Sequence, residues 1–125
     1  MKIFVAHASA FQYEQKLYAP IRSSVLGAEH EFVLPEERKY HGTWNTKEAI
    51  RECQLFIVDA SVASTGAGIE LGWADAAGIP IIAIYEKGSV PSVVLSYVTD
   101  TVVEYENADD MLTKLEAAIS ALSKG

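Results

Sequence analysis

The stretch Leu55-Phe-Ile-Val-Asp59-Ala-Ser-Val-Ala-Ser64-Thr-Gly66-Ala-Gly68-Ile-Glu70-Leu-Gly-Trp-Ala74 decides the fold. Its first four residues are a continuous apolar run, the pattern of a strand buried on both faces. An acid ends the run and a loop of small residues follows. An Ala-rich segment, residues 68–77, then reads as a helix with Glu70 in its first turns, stopped by Gly78 and Pro80. Such a strand–loop–helix unit brings backbone N–H groups, hydroxyls and a carboxylate around one small cavity. It predicts a site for a small polar, phosphorylated ligand, with carboxylate chemistry on it.

The alternation continues outward. Residues 2–6 read as a strand, 7–11 as a polar loop, and 13–26 as a helix through Leu17, Ile21 and Val25, bent or interrupted by Pro20. Residues 31–34 form a second strand ended by Pro35, and 36–44 a polar loop. Residues 46–53 form a short helix with Asn45 as N-cap and Glu48 reaching back to the Asn45 N–H. Beyond the central unit come a strand at 81–85, a short helix at 91–97 with Pro91 in its first turn, and a strand at 101–105. A final helix at 109–122 puts Met111, Leu112, Leu115, Ala118, Ile119 and Leu122 on one face.

Strands alternating with helices imply a parallel sheet with right-handed crossovers. Five strands in this pattern suggest a doubly wound, flavodoxin-like or Rossmann-like α/β fold of order 2-1-3-4-5. Its switch point lies between strands 1 and 3, where ligands bind beyond the carboxyl ends. The loops 7–11 and 59–68 meet there.

Composition bounds the alternatives. The 125 residues, half of them hydrophobic, make residues 1–125 a single domain able to bury its own core. The net charge of −7, with no basic run, speaks against nucleic acid as a partner. The apolar run at the start is too short for a signal peptide, and no run approaches membrane-spanning length. A cytoplasmic protein without membrane contact is expected. Cys53, the single cysteine, has no internal disulfide partner and reads as a small buried apolar residue. His30 and His41 lack metal-ligand spacing, so neither a metal site nor a cofactor is expected.

Each candidate has a plain structural alternative. Glu70 near a helix N-terminus gains about 0.3–1 kcal/mol from the dipole, which would also keep it ionised. Ser64, Thr65, Gly66 and Gly68 fit a helix cap and turn as well as an anion cradle. They form neither a Walker loop nor a Rossmann fingerprint. Asp59 is a turn-capping acid or a site residue at the sheet edge. His7, Ser9 and Phe11 belong to the other switch-point loop. Tyr40 and Trp44 could stack on a base or cover the core edge.

The segment Ser64-Thr-Gly66-Ala-Gly68-Ile-Glu70-Leu-Gly-Trp-Ala74 resembles the nucleoside 2-deoxyribosyltransferase family, with the 2′-deoxynucleoside 5′-phosphate N-hydrolases the nearest group within it. The resemblance implies that Glu70 attacks the anomeric carbon of the sugar. It implies that Ser64, Gly66 and Gly68 hold a 5′-phosphate, and that the loop with His7, Ser9 and Phe11 walls the base. Ser96 matches a serine that reaches the phosphate from a neighbouring subunit, which implies a homodimer. The implied partner is a small-molecule nucleotide or nucleoside. In the transferases the Ser64 position is commonly an acid, so a serine points to a nucleotide.

The chain departs from the family at Thr46, where ungapped counting puts the aspartate used in proton transfer to the base. Asp59, Glu48 and His7 remain as substitutes, with Asp59 placed beside Glu70 in the catalytic pair. A module that binds a nucleotide or nucleotide-sugar without cleaving it is the main alternative. A base-exchanging transferase and an NAD- or ADP-ribose-processing domain follow.

Overall fold

The computed structural model describes residues 1–39 and 42–124. Strands β1 (Lys2–Ala6), β2 (Glu31–Val33), β3 (Leu55–Asp59), β4 (Ile81–Glu86) and β5 (Val102–Tyr105) form a five-stranded, all-parallel sheet of order 2-1-3-4-5. The doubly wound α/β architecture is as expected, and β1 and β3 flank the switch point.

Alternate side chains leave each strand on opposite faces. Ile3, Val5, Leu55, Ile57, Ile82 and Ile84 share one core layer with Tyr18, Ile21, Met111, Leu115 and Ile119. Phe4, Ala6, Phe56, Val58, Ile81 and Ala83 share the other with Ile50, Ala67 and Ala74. Phe4 lies opposite Phe56 in register, their rings stacked at 5.6 Å. Fully burying one aliphatic or Phe side chain contributes roughly 1.5–3 kcal/mol. The two filled layers therefore hold the central strands rigidly and fix the loops at their carboxyl ends.

Several local expectations need correction. The helix expected over 13–26 is broken into a π-helical turn, Glu14–Tyr18, followed by α1 (Ala19–Arg22) and α2 (Val25–Glu29). Pro20 has no N–H to give the preceding turn and its ring crowds the carbonyl four residues back, so that turn widens. Ser24 caps α2 by accepting the Gly27 N–H, and a Cβ on Gly27 would lie only 2.3 Å from the Ile21 carbonyl oxygen. Only glycine fits that approach.

The polar loop expected over 36–44 begins as a one-turn helix, α3 (Pro35–Arg38). Pro35 starts it with a preset φ, and Glu36 and Glu37 favour its first turn. The expectations for Tyr40 and His41 lie outside the described residues. Asn45 caps α4 (Thr46–Arg51) through the Glu48 N–H at 3.1 Å, but the Glu48 carboxylate pairs with Arg51 rather than reaching back. Helix α5 (Thr65–Ala76) starts earlier than expected, because Ser64 is its N-cap. Gly78, at φ +73°, carries the chain out of it. Near Pro91 the turn is 3-10, Val93–Tyr97, capped by Ser92. In α6 (Ala108–Lys124) Met111, Leu115 and Ile119 are buried, whereas Leu122 is 40% exposed.

Candidate active site

Helix α5 opens at the carboxyl end of β3. Its N-cap Ser64 accepts the Ala67 N–H at 3.2 Å. The first-turn N–H groups of an α-helix have no partner within it. A Cβ on Gly66 would lie 3.8 Å from Ser64 Oγ, and one on Gly68 would meet nothing within 4 Å. Packing therefore does not demand glycine at either place; glycine there leaves the backbone open to approach.

Two cavities flank this helix start and share Ser64 and Ala67 in their walls. One, of about 240 Å³, is lined by Glu70 with His7, Ser9, Glu36, Lys39, Thr46 and Gly66. The other, of about 340 Å³, is mostly apolar, with Val62, Leu71, Val94 and Leu95 beside Asp59 and Gly68. The candidates from sequence are thus divided. Glu70, Ser64, Gly66, His7 and Ser9 share the polar cavity. Gly68 and Asp59 line the apolar one.

Phe11 belongs to the core, 6% exposed, with Lys16 Nζ 5.6 Å above its ring. Ser96 is exposed on the 3-10 turn, its hydroxyl donating to the Val93 carbonyl at 2.9 Å.

The expectation that the helix dipole keeps Glu70 ionised is corrected. Glu70 lies beyond the first turn of α5, where the dipole has faded. Burial dominates and raises its pKa to about 7; Lys39 pulls it down and Glu36 pushes it up. The carboxyl is poised between its two protonation states at neutral pH.

His7 is locked by hydrogen bonds. Its Nδ1 lies 2.9 Å from the Ala8 carbonyl oxygen, which can only accept, so Nδ1 carries the proton. Nε2 then accepts from the Tyr18 hydroxyl at 2.7 Å, and that hydroxyl oxygen accepts the Glu36 N–H at 3.1 Å. Burial holds the His7 pKa below its ordinary value, so the ring is neutral. Tyr13 stacks on it at 4.5 Å.

Asp59 is 1% exposed. One carboxylate oxygen accepts the Tyr105 hydroxyl at 2.5 Å and the other the Ser61 N–H at 2.9 Å. Burial raises its pKa against these bonds. The group ties the β3–α5 connection to the end of β5. Thr46 lines the Glu70 cavity as an uncharged group, its Oγ1 accepting the Trp44 indole N–H at 2.9 Å.

Reading the sequence missed Tyr18, Glu36 and Lys39. Tyr18 sits in an apolar helical pattern. Glu36 and Lys39 follow β2, which the sheet order places beside β1; a chain-order reading that began a helix at Pro35 could have found them.

Fold and site together define a doubly wound α/β domain with a carboxylate-bearing polar cavity at its switch point. No protein-family model matches the chain, and no curated protein matches it. Among solved structures it resembles a CMP N-glycosidase, BcmB, of Clostridium botulinum: TM-score 0.68, 25% identity, over 93% of this chain and 99% of that one. It also resembles a 2-deoxyribosyltransferase of Bacillus psychrosaccharolyticus, with TM-score 0.64 and 18% identity over 89% of this chain and 90% of that one. A signal receiver domain from Vibrio parahaemolyticus, at TM-score 0.52 and 19% identity, covers 99% of this chain and 97% of its own. The last two likenesses are of fold.

Proposed function

We propose that this chain cleaves the N-glycosidic bond of a nucleoside 5′-monophosphate, with Glu70 as the nucleophile. The observation that carries the reading is the shared cavity of Glu70, Ser64 and Gly66. A phosphate on the open first turn of α5 sets the attached pentose against Glu70. Ionised Glu70 attacks C1′, the base leaves, and water resolves the glycosyl–enzyme ester; a second base in place of water gives transfer. The likeness to a CMP N-glycosidase over nearly the whole chain supports this chemistry.

Ser96 does not line the cavity of its own subunit. It belongs to a segment where Val90, Val93, Val94 and Tyr97 are exposed. A homodimer that covers this apolar segment and brings the partner's serine to the phosphate accounts for both features. The test is release of free base from a panel of ribo- and deoxyribonucleoside 5′-monophosphates. Release by the native protein and not by Glu70→Gln supports the reading, and no release from any of them contradicts it.

One observation favours a second reading, a nucleotide-binding module without catalysis. Thr46 presents a hydroxyl where the resembled family has a carboxyl group. Saturable binding of a monophosphate without product would favour it.

A further inference from the structure

We propose that Glu36 is the second catalytic carboxylate of the Glu70 cavity, taking a proton from the hydrolytic water. The proposal rests on the reading of Glu70 as nucleophile. Double displacement at an anomeric carbon uses two carboxyl groups in one site, one to attack and one to handle protons.

Position leaves Glu36 as the candidate among the described residues. Thr46 has no carboxyl group. Asp59 opens on the other cavity and is engaged by Tyr105 and Ser61. Glu48 is exposed, paired with Arg51, and lies on a separate surface with Trp44 and Glu52. His7 has both ring nitrogens engaged. Glu36 lines the cavity with Glu70, its side chain 17% exposed and held by Lys39 Nζ at 2.5 Å. Its charge acts on both Glu70 and His7. A purely structural Glu36–Lys39 pair would contribute only about 0–1 kcal/mol and would need no place in a cavity wall.

The steps balance. A Glu70 oxygen bonds to C1′ as the C1′–N bond breaks; the electron pair goes to the base nitrogen, which takes a proton from solvent. Water oxygen then bonds to C1′, the C1′–O bond to Glu70 breaks, and its electron pair returns to the Glu70 carboxylate. One proton of that water passes to the Glu36 carboxylate, which releases it to solvent and regains its starting state. The sum is nucleotide plus water giving free base plus sugar phosphate.

The experiment measures base release from the monophosphate panel by native protein, Glu70→Gln and Glu36→Gln, across pH and with added azide. Glu36→Gln is expected to lose roughly 10²–10⁴-fold in steady-state hydrolysis, after a first turnover that releases one equivalent of base. Azide, which needs no general base, should accelerate Glu36→Gln and yield a glycosyl azide, and should do neither with Glu70→Gln. Near-native activity in Glu36→Gln, or a loss with neither a first-turnover burst of base nor an azide product, overturns the role of Glu36 and leaves Glu70 standing. Absence of base release by the native protein overturns both. Circular dichroism checks folding. Should Glu36→Gln not fold, Glu36→Asp decides: partial steady-state activity with a first-turnover burst of base supports the role, and native activity overturns it.

Discussion

Asp59 and Tyr105 are joined by a buried 2.5 Å hydrogen bond that pins the end of β3 to the end of β5, away from the cavity of Glu70. Two acids close in sequence thus have separate places in the molecule. Tyr105→Phe removes the donor and leaves a buried carboxylate oxygen without it, which costs about 1–3 kcal/mol. Urea unfolding should show that loss, while KM for a monophosphate changes little. A Tyr105→Phe protein of native stability would contradict the bond's role.

The Glu70 carboxyl, raised to about 7 by burial, must be ionised to attack. The kcat/KM for base release should therefore rise with pH through about 7 and flatten above it. Glu36→Gln should shift this acidic limb downward, since Glu36 is one of the charges pushing Glu70 up. A limb at the ordinary carboxylate range near 4.5 would show that Glu70 is not held as described.

Stability should move with the same proton. The folded chain keeps the Glu70 proton to about pH 7, whereas an unfolded chain releases it near 4.5. The stabilisation is fully present below 4.5 and is lost as pH rises through 7. Glu70→Gln should thus be more stable than the native protein at pH 8, by on the order of 1–3 kcal/mol, with the gap closing toward pH 4. Chemical denaturation at the two pH values measures this directly.

Ser64→Ala removes the α5 cap and should cost about 1 kcal/mol. It should also raise KM for a nucleoside 5′-monophosphate more than for the unphosphorylated nucleoside. Equal effects on the two substrates would place the phosphate elsewhere.

The fold was legible because its signals are local: apolar β-branched runs between Gly and Pro stops, in strict alternation with helices. Helix α3 was not, since Glu36, Glu37 and Arg38 carry no apolar periodicity and Pro35 reads equally as a strand end. Ser64, Gly66 and Glu70 share one strand–helix unit, and His7 and Ser9 lie across the switch point, so sequence brought them together. The contribution of Glu36 and Lys39 depends on β2 lying beside β1. The isolation of Asp59 follows from strand alternation, which puts it on the face of Ile57, the face that also carries Tyr105. The protonation of Glu70 was misread because burial by distant segments outweighs a dipole that acts over a single turn.

The covalent step is the most direct test. Rapid quenching of the native protein with a cleavable nucleoside 5′-monophosphate, followed by peptide mass analysis, should find the sugar phosphate esterified to the peptide carrying Glu70. The adduct should disappear in Glu70→Gln. Base release with no adduct at any time, or an adduct that persists in Glu70→Gln, would contradict the account.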